Sequence, residues 1–347
     1  MTRALMRGLE WIYLIGLGAL CSVLVLRLFG PRSWPFELLN HFVSQYLLGA
    51  ILLCLGFAFM RRTLLSTVAL MLALAFAADF QRAPQPVQAR ASTPSGNANV
   101  SVTEQSGVES HPFSLITSNL FVLNQRPKDV LTWLAGQPAE VVLLQEVPSA
   151  ISSGLRALED VYPYQFIVEP GTGLNSDVYR GSESMAILSI HPIQEPEGPR
   201  ASRRGKLALK ARLSIAGAED PWIIAVHPSY PASQARLWAR DAYLTEIAGV
   251  VTNLEGPVIV AGDFNTTHYA PAFRDFMELS KMSTFRNFPA TWPARLGPLG
   301  IPIDHVLVRG AWLTDLTALS SIGSDHRGLK AEIRLPTLPQ SLRAWSN

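Results

Sequence analysis

The stretch Pro257–Tyr269 reads PVIVAGDFNTTHY. Its apolar run ends at Gly262, and period-2 alternation sends Asp263 and Asn265 to one side and Phe264 to the other. An acid and an amide thus emerge side by side at the end of a buried strand, although a bare GD-x-N also suits an ordinary Asx turn. Further polar residues stand at strand ends along the chain: Asn119 closes LITSN, Glu146 closes VVLLQE and His227 closes WIIAVH. Asp304 and His305 open IDHVLV, and Asp325 with His326 precedes GLKAEI. Singly, each is more often a satisfied turn residue or a solvated strand end than a catalyst. Gathered on one rim, they form a different inventory. Carboxylate and amide oxygens with no thiol suit a hard cation such as Mg²⁺ or Mn²⁺, and two histidines beside them suit proton transfer. Together they fit metal-assisted attack of water on phosphorus.

The elements that must place these groups alternate at first. Ser114 to Leu120 reads as a strand, Pro127 to Ala135 as a helix, Ala139 to Val147 as a strand and Ala150 to Leu158 as a helix. Strands then predominate, at Tyr164 to Val168, Ser184 to Ile190, Leu207 to Ile215 and Trp222 to Val226, which predicts antiparallel pairing. A long helix from Ser233 to Asn253 follows, then the strand ending at Asp263 and a helix at Pro271 to Leu279. The last two strands are expected at Ile303 to Val308 and Leu329 to Leu335. This order suits an α/β fold of two mixed sheets packed face to face with helices outside.

The first part of the chain is of another kind. Trp11 to Leu26, Tyr46 to Met60 and Thr63 to Phe76 are nearly uninterrupted apolar runs, each near the length of a membrane-crossing helix. We read residues 1–80 as an anchor of three transmembrane helices, 81–111 as a Pro-, Ser- and Gln-rich linker, and 112–347 as the catalytic domain. Arg3, Arg7, Arg61 and Arg62 lie on one side of the spans and place it in the cytoplasm, with the domain outside; Arg27 and Arg32 on the other side weaken the bias. The only cysteines, Cys21 and Cys54, fall inside the apolar runs, which excludes a Cys-based metal site or nucleophile from the domain. From Pro112 onward, 21 Lys and Arg stand against 22 Asp and Glu, so the domain lacks a basic nucleic-acid footprint.

The ordered set ITSN, LLQEV, SMAILSIHPI, AVHP, VAGDFN, IDHVLV and SDHRGL resembles the endonuclease/exonuclease/phosphatase superfamily over Phe113 to Leu335. The resemblance implies a DNase I-like, four-layer αββα sandwich and divalent-metal phosphoesterase chemistry with Mg²⁺ or Mn²⁺. It implies Glu146 as principal metal ligand with Asn119 beside it, and Asp325 as a further ligand to metal or water. Asp263 corresponds to the aspartate that aligns or deprotonates water, and Asn265 to the amide that holds phosphate. His227 and His326 correspond to the two histidines, with Asp304 orienting the latter. His305 stands where many relatives have an aromatic residue and receives no role; His268 reads as part of a surface turn.

The three spans and the absent positive charge favour a phosphorylated, lipid-linked substrate over nucleic acid. The arrangement also resembles a bacterial, membrane-anchored branch of the superfamily, which implies a multi-pass protein of the cell (inner) membrane with its catalytic domain periplasmic or extracellular. An extracytoplasmic nuclease and a catalytically silent binding module at the membrane are the competing expectations. The basic run Arg200, Arg203, Arg204, Lys206, Lys210 and Arg212 reads as a solvated hairpin face or as a contact for anionic headgroups. The loop Phe288 to Pro298, with Trp292, either shapes the substrate entrance or packs beneath it. Protein partners are not legible.

Overall fold

The computed structural model describes residues 3–81, 110–137, 139–168, 184–198, 200–201, 206–285 and 288–337. Of the linker expected at 81–111, only Gln81 and the pair Ser110 and His111 lie among them. The chain divides into two compact units.

One unit comprises Met1–Pro84, Pro231–Leu237 and Thr266–Arg274. Its three helices are α1 (Arg3–Phe29), α2 (Val43–Phe59) and α3 (Thr63–Gln81); α1, α3, and α2 taken together with the 3₁₀ segment Phe36–Phe42 that leads into it, are each long and apolar enough to cross a membrane. Leu17, Ala50, Phe57, Ala69, Leu72, Ala73 and Phe76 form their shared seam. Gly56 carries no side chain because a Cβ there would run into the ring of Tyr13, which instead packs edge-on against Phe57 with centroids 5.6 Å apart. Arg61, at φ 56°, makes the reversal between α2 and α3. Arg27 lies within α1 and pairs with Asp79 at 3.0 Å, as charges inside apolar helix bundles must. The two short segments that join this unit belong by sequence to the expected catalytic domain. Their place follows from their side chains: Tyr269 bonds Ser44 through its hydroxyl at 3.0 Å and packs its ring against Phe80.

The other unit holds the two sheets. The first is built from β1 (Ser110–Asn119), β2 (Val141–Gln145), β3 (Tyr164–Val168), β4 (Met185–Ser189), β12 (Trp312–Ala318) and β13 (Leu329–Pro336), in the order β12-β13-β1-β2-β4-β3. The second is built from β5 (Ile193–Glu197), β6 (Arg200–Ala201), β7 (Lys206–Leu213), β8 (Trp222–Val226), β9 (Val258–Asp263), β10 (Ser283–Thr284) and β11 (Asp304–Arg309). Its order is β10-β11-β9-β8-β7-β5, with β6 on β7. The pairs β1–β2 and β8–β9 are parallel and the others antiparallel. Helix α4 (Pro127–Ala135) and α5 (Ser149–Leu155) cover the first sheet through Val130, Leu134, Ile151 and Leu155. Helices α6 (Gln234–Thr252) and α7 (Pro271–Ser280) follow β8 and β9.

Alternation explains the layers. Leu115 on β1, Val141 and Leu143 on β2, Ile223 and Ala225 on β8, Ile259 and Ala261 on β9, and Val306 and Val308 on β11 all enter one core between the sheets. Ile116, Val142 and Leu144, of opposite parity, face the helices. The strands at Ile193–Glu197 and Trp312–Ala318 escape the sequence reading because Pro, Glu, Asp and Thr break their apolar alternation; both lie on sheet margins and need no buried outer face.

Candidate active site

Continuing the inter-sheet parity by one step places four polar side chains at the same end of the core. Asn119 extends the face of Leu115, Asp263 that of Ile259 and Ala261, and His227 that of Ile223 and Ala225. Asp304 precedes Val306 and Val308, and it lies opposite Asp263 in the antiparallel pairing of β11 with β9. Glu146 has the wrong parity. It reaches the same place because its φ is 50°, a left-handed conformation uncommon for a residue with a Cβ. Its Oε1 then lies 3.3 Å from His227 Nε2, and its Oε2 accepts the N–H of Val122 at 3.1 Å.

Asp263 is the hub. It is 2% exposed. Its Oδ1 accepts the Asn265 N–H at 2.7 Å, and its Oδ2 accepts the side-chain amides of Asn119 at 3.1 Å and Asn265 at 3.3 Å. His227 Nε2 and His326 Nε2 flank Oδ2 at 3.7 and 3.8 Å. The Asn265 amide also donates to the carbonyl of Pro228 at 3.1 Å, and Asn265 adopts φ 51°. His326 Nδ1 lies 2.9 Å from Asp304 Oδ2, which fixes the ring's orientation as a carboxylate does for histidine in other hydrolases.

The charges follow from these neighbours. Burial pushes the Asp263 carboxyl up and the Asp304 carboxylate adds to this; the nearby His326 and His227 oppose both, leaving it raised to about 6. Burial alone would lower His326, but Asp304 and Asp263 outweigh it and raise the imidazole to about 10. For Glu146 burial pushes upward and is outweighed by the hydrogen bond and charge of His227 and by the Val122 N–H, bringing the carboxyl down to about 2. Glu146 is thus drawn toward its ionised form, Asp263 toward its protonated form and His326 toward its cationic form.

Of the residues expected to act, seven meet in this network: Asn119, Glu146, His227, Asp263, Asn265, Asp304 and His326. Asp325 does not hydrogen-bond into it. Its Oδ2 accepts the indole N–H of Trp292 at 3.0 Å, and it reaches the site by its charge on the adjacent His326. Trp292 therefore has a defined task, fastening the loop before β11 to the SDH segment. His268, expected on a surface turn, is 5% exposed and stacked on Tyr269; the apolar contacts of Tyr269 draw the turn inward. His305 lies edge-on to Phe264 and Phe288, a packing role. In the basic run, Lys210 and Arg212 both lie over the Trp222 ring, and Lys210 pairs with Glu197; Arg203 and Arg204 fall outside the described residues.

Several supporting residues escape the sequence reading. Arg240, fully buried on α6, donates to the Asn265 carbonyl at 3.2 Å and to Asp241; its three-residue spacing from Leu237 was the available signal. The Tyr243 hydroxyl accepts the His227 N–H at 3.2 Å. Thr291 Oγ1 accepts the Asp304 N–H at 3.2 Å. Ser324 accepts the His326 N–H and donates to the Asn119 carbonyl at 2.7 Å, so it ties β1 to the SDH loop.

Among the described residues no three His, Cys, Asp or Glu side chains surround a common ion position. A cage made wholly of such ligands is not what Mg²⁺ requires, because it commonly binds through one or two carboxylates and keeps its waters. Glu146, ionised and still 18% exposed, matches that mode; Asn119 joins the network through its amide nitrogen, while its Oδ1 accepts the Phe121 N–H at 2.9 Å.

The sequence model of the Endonuclease/Exonuclease/phosphatase family matches residues 116–326. A UPF0294 protein of Klebsiella pneumoniae (strain 342) is 26% identical over 211 residues, covering 57% of this chain and 72% of that protein. Among solved structures, D. rerio TDP2 complexed with a single-strand DNA product superposes with a TM-score of 0.52 at 16% identity, covering 64% of this chain and 98% of that one. Sphingomyelinase C from Streptomyces griseocarneus superposes with a TM-score of 0.50 at 18% identity, covering 64% and 99%. At these identities the superpositions speak for a shared DNase I-like fold.

Proposed function

Because the chain belongs to the Endonuclease/Exonuclease/phosphatase family, we propose that it is a membrane-anchored, Mg²⁺- or Mn²⁺-dependent phosphoesterase acting on a lipid-linked phosphate ester or pyrophosphate. The observation that carries this reading is the convergence of His227, Asn265 and His326 on Asp263, with Glu146 beside His227, in a chain that also has three helices apolar enough to cross a membrane. Asp263, with a carboxyl that titrates near neutrality, accepts the proton of an attacking water. The Asn265 amide and the cationic His326 hold phosphoryl oxygens, and His326 keeps its charge through Asp304. His227, poised between Glu146 and Asp263, binds a further oxygen or protonates the leaving group. Glu146 and Asn119 would hold the divalent ion, which supplies positive charge to the phosphate in the transition state. Asp325 acts through the field it places on His326.

We place the protein in a bacterial cell membrane with the domain on the extracytoplasmic side. The test is an assay of detergent-solubilised full-length protein, with Mg²⁺ or with EDTA. Release of phosphate from polyprenyl pyrophosphate or another lipid phosphate, abolished by EDTA, is the expected result. Plasmid nicking without such release would make the protein a nuclease, and no turnover with no Mg²⁺ binding at millimolar concentration would make it a silent module.

A further inference from the structure

The strands that deliver His227 and Asp263 both lead into the helical unit. Shortly after His227 the chain enters it as Pro231–Leu237, and directly after Asn265 it enters as Thr266–Arg274. Thr266, Thr267, His268 and Tyr269 are all buried. Within this unit, Thr267 N–H donates to His41 Nδ1 at 3.3 Å, and Thr267 Oγ1 lies 3.1 Å from the same nitrogen. Nδ1 is therefore the acceptor, and the ring proton resides on Nε2, which faces Glu37 Oε2 at 3.4 Å. Ser44 and Phe80 hold Tyr269 two residues further on.

Asn265 needs such support. A non-glycine residue in the left-handed region persists only where its surroundings over-determine it, and Asn265 has φ 51°. Arg240 fixes its carbonyl, and His41 fixes the backbone two residues beyond. We propose that His41 is a positioning residue: from the membrane-anchoring helical unit it holds Thr267, and through it the conformation in which Asn265 presents its amide beside Asp263. The consequence for turnover rests on the phosphoesterase reading above; the consequence for backbone order does not.

The experiment compares full-length wild type, His41→Ala, His41→Gln, Thr267→Val and Arg62→Ala in detergent micelles, measuring steady-state kinetics and amide hydrogen exchange. Arg62 pairs with Glu10 elsewhere in the helical unit and controls for general loosening. His41→Ala is expected to lower kcat about tenfold or more with KM within about threefold, because a small displacement of a transition-state group acts on kcat. Amides 265–269 should exchange at least about tenfold faster while β9 stays protected. His41→Gln, whose side-chain oxygen can accept the Thr267 N–H, should recover both to within about threefold of wild type. Thr267→Val should show a smaller loss, and it decides the matter if His41→Ala does not fold. Arg62→Ala should match wild type. Unchanged exchange and kcat in His41→Ala and Thr267→Val overturn the proposal, as does an equal loss in Arg62→Ala or no recovery in His41→Gln. If wild type hydrolyses no phosphate ester, the functional reading fails, and the exchange data alone uphold or overturn the positioning role.

Discussion

Asp263 receives three hydrogen bonds and faces two imidazoles from a depth that leaves it 2% exposed. No structural requirement of a strand end asks for that concentration of polar groups, since an Asx turn would be complete with the Asn265 N–H alone. Asp304 carries a further sign of purpose: among the described residues its buried Oδ1 meets no hydrogen-bond donor, while its Oδ2 serves His326. Leaving a buried acceptor unmet costs about 1–3 kcal/mol, a cost consistent with a group kept for orientation and charge. Asp263→Asn and His326→Ala are each expected to lower kcat by about a hundredfold or more, the scale of one positioned acid–base group, with circular dichroism unchanged. Wild-type turnover in either variant would remove that residue from the mechanism.

At the scale of elements, Gly262 is what lets β9 deliver Asp263. It adopts φ 146°, and a Cβ there would strike the Val226 carbonyl on β8, so the strand can pass close to the end of β8 only with glycine. Gly262→Ala is expected to destabilise the domain by about 1–3 kcal/mol through overpacking and backbone strain, read from the midpoint of urea unfolding. Phe264 keeps the next turn in place by burial against Phe276 and His305. Away from the site, Glu140 binds Ser114 N–H at 2.7 Å and His191 at 3.0 Å, joining β1 to the turn after β4. Burial pushes its carboxyl up, but His191 and the Ser114 N–H outweigh this and hold it below its usual 4.5. A depressed carboxylate contributes stability above the unfolded value that is lost as pH falls through the folded one. The difference in Tm between wild type and Glu140→Gln should therefore be full at pH 6 and shrink below pH 4.5; a difference independent of pH would show that the carboxylate's charge has no part in it.

For the whole molecule, the question is which side of the membrane bears the domain. Arg27 counts less toward the loop between α1 and α2 than its position suggests, because it lies in α1 and pairs with Asp79. The native cysteines lie within the apolar helices. In intact cells, a membrane-impermeant thiol reagent should therefore label Lys128→Cys and spare Arg61→Cys. The reverse pattern would put the domain in the cytoplasm. The helical unit also takes in two short segments from later in the chain, Pro231–Leu237 and Thr266–Arg274.

The spans, the strand-end motifs and the fold class were legible in the sequence because each rests on a local period: apolar runs of membrane length, alternation along strands, and glycine before an acid. Alternation alone set Asp263 apart from Phe264; that Asn119, His227, Asp263 and Asp304 share the core-facing parity of their strands came from the structure. Glu146 required the tertiary structure, for its parity points outward and only its left-handed backbone turns it to His227. Arg240, Thr291 and Ser324 were invisible for a similar reason, and the task of Trp292 was open: each is an ordinary residue whose role lies in hydrogen bonds to groups in other segments of the chain. His268 read as part of a surface turn until the structure buried it beside Tyr269, next to a Thr267 that meets His41. Chemical type is written residue by residue along the chain, whereas the partner that gives a polar group its charge and direction is chosen by packing between distant segments.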